Sequence, residues 1–371
     1  MIHAYKLGGY NIIIDQNSGC VHAVDPVAYD IICRYESESR DQIKQFILEK
    51  YAGESDVTPA EVDECFDDIE TLKAEGRLFA EDTFQSMAEG FKARQGVLKA
   101  LCLHVAHDCN LACKYCFAGK GEYSGEKQIM SFETGKRAID FLIENSRGRH
   151  NLEVDFFGGE PLLNWDVCKK LVAYGRSLEK KYDKNFRFTL TTNGVLLNDE
   201  VIDFCNKEMG NIVLSLDGRK EVHDRMRITR GGKGSYDAVV PKFQNAVQKR
   251  GALEYYMRGT YTHFNTDFSK DILHMADLGF KEISIEPVVC DPSEPYALLE
   301  SDLPALKEQY EILAFEMLKR RRAGKGFTFY HYMIDLDRGP CIVKRISGCG
   351  VGTEYLAVTP TGDLYPCHQF V

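Results

Sequence analysis

His107-Asp108-Cys109-Asn110-Leu111-Ala112-Cys113-Lys114-Tyr115-Cys116-Phe117 sets three cysteines in a C-x3-C-x2-C spacing directly after an apolar run. Three thiolates this close can wrap one corner of a cuboidal iron–sulfur cluster, one on each of three irons. A fourth local thiolate is missing, which leaves the last iron free for an exchangeable ligand. Two other readings use the same residues. A zinc knuckle would need a fourth ligand, for which His107 is the candidate. A ferredoxin-type electron-transfer site would use four cysteines.

Outward from this loop the pattern is strand and helix in alternation. Strands are expected at 101–105, 153–157, 187–192, 212–216, 255–261 and 282–287, with helices at 131–145, 164–182, 198–207, 235–250, 266–278 and about 304–322. Ser131, Asn198 and Ser235 read as N-caps, and Gly251 and Gly279 as stops. Six β/α units in a row imply an α/β fold built on a parallel sheet or a partial (β/α)6 barrel. In such folds function collects where the strands end. The cysteine loop follows the first strand, Gly158-Gly159-Glu160-Pro161 the second, Thr191-Thr192-Asn193-Gly194 the third and Ser215-Leu216-Asp217-Gly218 the fourth, while Glu286-Pro287-Val288 ends the sixth. The polar and glycine-rich residues therefore fall on one rim.

The flanks differ from this core. Residues 1–85 read as a winged-helix-like α+β module: a hairpin from 9–15 and 20–24, then three helices, the last opened by Thr58-Pro59-Ala60-Glu61 with threonine at the N-cap and glutamate at N3. Residues 86–98 form a linker, 99–325 the core, and 326–371 a glycine-rich, irregular end whose segments 354–359 and 363–365 pair as a hairpin around Pro360-Thr361-Gly362.

Of 371 residues 44% are hydrophobic and 27% charged, as in a soluble folded protein of two or three domains. The net charge of −10 argues against nucleic acid as the main partner. No apolar stretch is long enough to span a membrane, and the start has no signal-peptide pattern, so the reading is cytoplasmic. In that compartment clustered cysteines point to metal chemistry rather than disulfides. Of the thirteen, Cys341, Cys349 and Cys367 form a second group near the end. Cys20, Cys33, Cys65, Cys102, Cys168, Cys205 and Cys290 read as small buried apolar residues.

The C-x3-C-x-Y-C loop, GGEP and SLDG together resemble the radical S-adenosylmethionine (SAM) superfamily, in its peptide-modifying branch with a SPASM extension, over roughly 99–371. The resemblance implies a [4Fe–4S] cluster on Cys109, Cys113 and Cys116, with SAM chelating the open iron. It implies that Gly158, Gly159 and Glu160 bind the amino end of SAM, Tyr115 the adenine through its backbone, Ser215 the ribose and Arg227 the carboxylate, with Val288 lining the adenine pocket. Read without the family, Arg227 is a solvated charge in the basic run 225–230. Cys349 and Cys367, spaced C-x12-G-x4-C, resemble the first half of a SPASM domain, with Cys341 a further ligand of one auxiliary [4Fe–4S] cluster; the second half of that pattern is not in the sequence. Residues 1–85 resemble a precursor-recognition element that takes a leader peptide by strand addition. Met1-Ile2-His3-Ala4-Tyr5-Lys6-Leu7-Gly8-Gly9-Tyr10-Asn11 and Tyr365-Pro366-Cys367-His368-Gln369-Phe370-Val371 resemble the maturases of six-cysteines-in-forty-five peptides. These use a 5′-deoxyadenosyl radical to form thioether crosslinks in a ribosomally made, cysteine-rich precursor peptide, with an electron donor such as ferredoxin or flavodoxin. The alternatives are a formylglycine-forming sulfatase maturase, a peptide epimerase, and a non-catalytic metal-binding scaffold.

Overall fold

The computed structural model describes residues 1–84, 86, 90, 96–123, 125, 127–333 and 348–371. The chain divides into two compact units, one made of the N-terminal 94 residues with 334–348 and one of 95–333 with 349–371.

The first unit is a three-stranded antiparallel sheet, β1 (Ile2–Leu7), β2 (Tyr10–Asp15) and β3 (Val21–Val24), followed by α1 (Pro26–Arg34), α2 (Arg40–Lys50) and α3 (Pro59–Ala74). The sequence reading found the β2–β3 hairpin and missed β1. Leu7 faces Tyr10 across a two-residue turn, Gly8-Gly9, with both glycines at positive φ (57° and 83°). This is the mirror-image turn that suits the twist of a hairpin. Thr58 and Glu61 form the expected capping box on α3, and Ser39 with Gln42 forms another on α2. Ile13, Ile31, Ile43, Ile47, Val62, Phe66 and Ile69 close the core. The buried Asp15 carboxylate accepts the Asn17 and Ala80 amides at 2.8 Å each, tying the sheet to the chain that leaves the unit.

The second unit is built on a ten-stranded sheet. Its centre is β4 (Ala100–His107), β6 (Asn151–Gly158), β7 (Asn185–Thr192), β8 (Asn211–Ser215), β9 (Tyr255–Tyr261) and β10 (Glu282–Pro287), parallel and adjacent in chain order. The short β5 (Gln128–Ile129) pairs with the end of β4. Crossovers are α4 (Phe132–Asn145), α5 (Trp165–Tyr182), α6 (Asp199–Glu208), α7 (Lys220–Met226), α8 (Tyr236–Arg250) and α9 (Ser269–Asp277), and α10 (Leu303–Arg322) follows β10. All eight residues of β4 are buried, as expected of a parallel strand covered on both faces. The expected strands and most helices are present; α7 was not foreseen. Ser131 and Asn198 cap their helices through their side chains. Ser235 heads α8 without a capping bond and donates instead to the Arg227 carbonyl, at 2.7 Å.

The end of the chain is not a separate layer in the described residues. β11 (Thr328–Phe329) joins the sheet beside β10, and β12 (Tyr355–Val358) joins it beside β4, parallel, with β13 (Leu364–Tyr365) completing the expected hairpin. No described helix is long and apolar enough to cross a membrane. Of the scattered cysteines, Cys102, Cys168 and Cys205 are buried as expected. Cys33 is exposed and Cys20, Cys65 and Cys290 are half-buried, so these four are not core residues.

Candidate functional site

The cysteine loop leaves β4 and is held on both flanks. On one side Ala112 and Lys114 donate their amides to the carbonyls of Ile228 and Met226, at 2.7 and 2.9 Å. Arg230 donates to the Cys109 carbonyl (2.7 Å) and to the Asp108 carboxylate (2.8 Å), which also meets Lys127 at 3.0 Å. On the other side the Gly159 amide donates to the Ala106 carbonyl and the Glu160 amide to the Asp108 carbonyl, at 2.8 and 2.9 Å. A Cβ on Gly159 would lie 2.1 Å from that Asp108 oxygen, and one on Gly158, whose φ is 122°, 2.4 Å from the Ala106 oxygen. The double glycine thus lets the end of β6 press against the cysteine loop itself.

Cys109, Cys113 and Cys116 are half-buried on the wall of one cavity of about 1100 Å³. Residues from one face of all six central strands share that wall, so the sheet curves round it. Burial pushes the Cys109 thiol up to about 12 and Cys113 up to about 11, with nearby Arg227 drawing Cys113 down. Near neutrality these are thiols until a metal displaces their protons.

Asp217, which the sequence placed on the rim without a role, is the hub of the site. It is fully buried and accepts from the Tyr115 hydroxyl (2.6 Å), Arg227 Nε (3.0 Å) and the Thr260 amide (3.1 Å). Three segments thereby meet on one carboxylate: the cysteine loop, the end of α7 and β9. Arg227 is not a solvated charge, because only 11% of its side chain is exposed and it sits 5.5 Å from the centre of the Tyr115 ring. Its Nε is spent on Asp217. Its terminal N–H groups have no partner among the described residues, and the side chain lines the cavity, so they are free for an anion.

Glu160 is also fully buried. Its carboxylate accepts from Leu162 N (3.1 Å), Thr192 Oγ1 (2.7 Å) and Asn193 N (2.8 Å), clamping the end of β7. Burial pushes it up to about 7, and the three hydrogen bonds are its only opposing influences. A carboxylate has about four lone-pair directions, so one remains toward the cavity it lines. Asn193 continues the chain of contacts, donating to Asn110 Oδ1 at 2.7 Å and approaching Cys109 Sγ at 3.5 Å. Ser215 at the end of β8 and Val288 just past β10 both line the cavity. Asp217, Asn193 and Arg230 were missed as site residues. Asp217 and Asn193 stood inside the quoted rim motifs, but only the folded chain shows what they hold.

The fourth zinc ligand is withdrawn. His107 is buried, with Nε2 3.2 Å from His104 Nδ1 and its ring stacked on Tyr123 at 4.4 Å, and it is not on the cavity wall. Among the described residues no three His, Cys, Asp or Glu side chains form a single-ion site. In the second cysteine group, Cys349 is exposed and Cys367 half-buried with Sγ 3.5 Å from His368 Nδ1, while Cys341 lies outside the described residues.

Residues 103–283 match the Radical SAM superfamily. The serine-type anaerobic sulfatase-maturating enzyme of Bacteroides thetaiotaomicron is 32% identical over 296 residues, covering 71% of this chain and 67% of that protein. The chain belongs to the radical SAM superfamily. Among solved structures, native anSMEcpe with bound AdoMet and Kp18Cys peptide aligns with a TM-score of 0.62 at 21% identity, over 74% of this chain and 75% of that one. Streptococcus suis SuiB bound to precursor peptide SuiA aligns with a TM-score of 0.55 at 16% identity, over 97% of this chain and 80% of that one. Both likenesses are of fold. Two further relatives are matched over only 45% and 38% of their own length, so the chain spans less than half of each.

Proposed function

We propose that this radical SAM chain is a peptide maturase that forms thioether crosslinks in a ribosomally made, cysteine-rich precursor peptide. The observation that carries the reading is the trio Cys109, Cys113 and Cys116, held half-buried at the rim of a cavity large enough for a nucleoside and part of a peptide together. A [4Fe–4S] cluster on these cysteines, with SAM on its open iron, supplies one-electron cleavage of the sulfonium and, from it, hydrogen-atom abstraction.

The chain's own residues do the rest. Arg227 faces the cavity with spare N–H donors suited to the carboxylate of SAM. Glu160, buried with no cation beside it, and the adjoining Gly158 and Gly159 suit the amino end. The Tyr115 backbone and Val288 would border the adenine and Ser215 the ribose. Cys349 and Cys367, with Cys341, would hold an auxiliary cluster in the same reading. The electron donor would be a ferredoxin or flavodoxin.

The first unit would bind the precursor's leader. β1 and β3 are the outer strands of its sheet, each with one side unpaired among the described residues, and strand addition needs such an edge. SuiB bound to precursor peptide SuiA and anSMEcpe bound to Kp18Cys peptide support a peptide substrate by analogy of fold.

The test is mass spectrometry of a cysteine-rich peptide encoded beside this gene, after anaerobic incubation with the reconstituted full chain, SAM and reductant. A thioether keeps the sulfur and removes two hydrogens per crosslink. Likeness to sulfatase-maturating enzymes of cysteine and serine type favours formylglycine as the second reading; formed from cysteine it loses the sulfur, and formed from serine it loses two hydrogens but carries an aldehyde that a hydrazide traps and a thioether does not. Fluorescence anisotropy with the labelled leader tests the first unit, and absence of binding to the full chain removes its assignment.

A further inference from the structure

The cavity has a polar floor that the SAM contacts do not use. Cys102 of β4 pairs in register with Asp155 of β6, Asp155 with Thr189 of β7, and Thr189 with Asn211 of β8. Residues paired in register across parallel strands point to the same face, and all four line the cavity. From Thr189 to Asn193, which reaches Cys109, is four residues along one strand direction, or roughly 13 Å at 3.3 Å per residue. The rung therefore lies below the cysteine rim within the same space, whose wall continues past it to Arg187.

Its chemistry is unfinished. Asn211 is 7% exposed, and its Oδ1 is buried with no hydrogen-bond partner among the described residues. A buried carboxamide oxygen left so is costly, and native proteins rarely leave one without a partner of some kind. Two strands away, burial and the nearby Glu153 push the Asp155 carboxyl up to about 6, against a hydrogen bond from Thr189, which stands between it and Asn211, and the pull of Arg187, a further cation on the cavity wall. The rung thus offers a carboxamide, which can both accept and donate, beside a hydroxyl and a carboxyl. Those complement an amide group, whose N–H and C=O are likewise donor and acceptor side by side.

We propose that Asp155, Thr189 and Asn211 form a subsite for an amide group of the substrate peptide, either a main-chain peptide group or an Asn/Gln side chain, fixing how deep the peptide reaches beneath the cysteine rim. The choice of occupant rests on the peptide-modifying reading; the unpartnered acceptor does not. The subsite determines which residue of the peptide stands at the rim, so it acts on position rather than on bond making.

Saturation-transfer difference NMR on the full chain tests this with small probes. These are N-acetyl-alanine-N′-methylamide, methyl O-acetyl-lactate (its ester analogue, with oxygen in place of both N–H groups), N-acetyl-cysteine-N′-methylamide and acetamide. The capped alanine amide is expected to bind roughly five- to tenfold more tightly than the ester, the worth of one ordinary hydrogen bond. Asn211→Leu should erase that difference and leave ester binding unchanged. Asn211→Asp, nearly identical in size, keeps an acceptor oxygen at the same place and should retain the amide preference, which separates loss of the acceptor in Asn211→Leu from a folding defect. Acetamide matching the capped amide would assign the side-chain source; acetamide binding several-fold more weakly would assign the main chain. Equal binding of amide and ester, a preference that survives Asn211→Leu, or no binding of any probe would overturn the subsite. Equal binding of the cysteine and alanine probes would leave the subsite standing and count only against a thiol-bearing substrate.

Discussion

One buried carboxylate explains why two distant motifs belong to one site. Asp217 joins the cysteine loop through Tyr115 and the end of α7 through Arg227, whose side chain lines the cavity. Both members of the Asp217–Arg227 pair are buried, so removing one leaves the other uncompensated. Asp217→Ala is expected to cost about 3 kcal/mol in urea unfolding. Asp217→Asn keeps the shape but not the charge, and should weaken SAM binding to the reconstituted chain at least tenfold by calorimetry. The thiol trio was legible in the sequence because its chemistry is local: three cysteines within eight positions need no fold to be noticed. Asp217 was not, because its role exists only where three elements converge. Asp155 gives a pH prediction in the metal-free chain. Burial raises its folded pKa to about 6 from 3.8, so the native state keeps a proton that the unfolded chain has lost between these values. Stability relative to Asp155→Asn should therefore fall as pH rises from about 4 to about 6 and level off above, by about 3 kcal/mol. Flat relative stability across that window would show that the carboxyl is not buried as described.

At the scale of elements, the end of β6 and the cysteine loop are one piece of construction. Gly159 has no room for a Cβ, because the nearest atom is a backbone oxygen that cannot step aside. Gly159→Ala should shift the loop and lower iron incorporation to less than half of wild type, read as iron and sulfide per chain after anaerobic reconstitution. Gly9→Ala, with open space around it but positive φ, should cost about 1 kcal/mol and leave iron content unchanged. The strand and helix alternation from β4 to β10 could be read from periodicity, since parallel strands are continuous apolar runs. β1 could not, because its run is interrupted by His3, Tyr5 and Lys6 and half exposed. The Gly8-Gly9 pair was the available signal. β12 beside β4 was also hidden, because pairing between segments some 250 residues apart leaves no local mark.

For the whole molecule, the sheet matters because it brings two chemistries to one space. Its strand ends carry the thiols and Glu160, the end of α7 brings Arg227, and its inner face carries the polar rung, all around one cavity. The scattered-cysteine reading failed where position alone decides exposure, as at Cys33. The first unit has its own apolar core and its own unpaired sheet edges, a design suited to holding a peptide by its backbone.

Electron paramagnetic resonance of the reduced, anaerobically reconstituted full chain, with and without SAM, tests the central claim most directly. A [4Fe–4S] signal that changes on addition of SAM, accompanied by 5′-deoxyadenosine and absent from the Cys109→Ala/Cys113→Ala/Cys116→Ala variant, is the predicted result. A zinc-only protein, or a cluster signal indifferent to SAM, would contradict it.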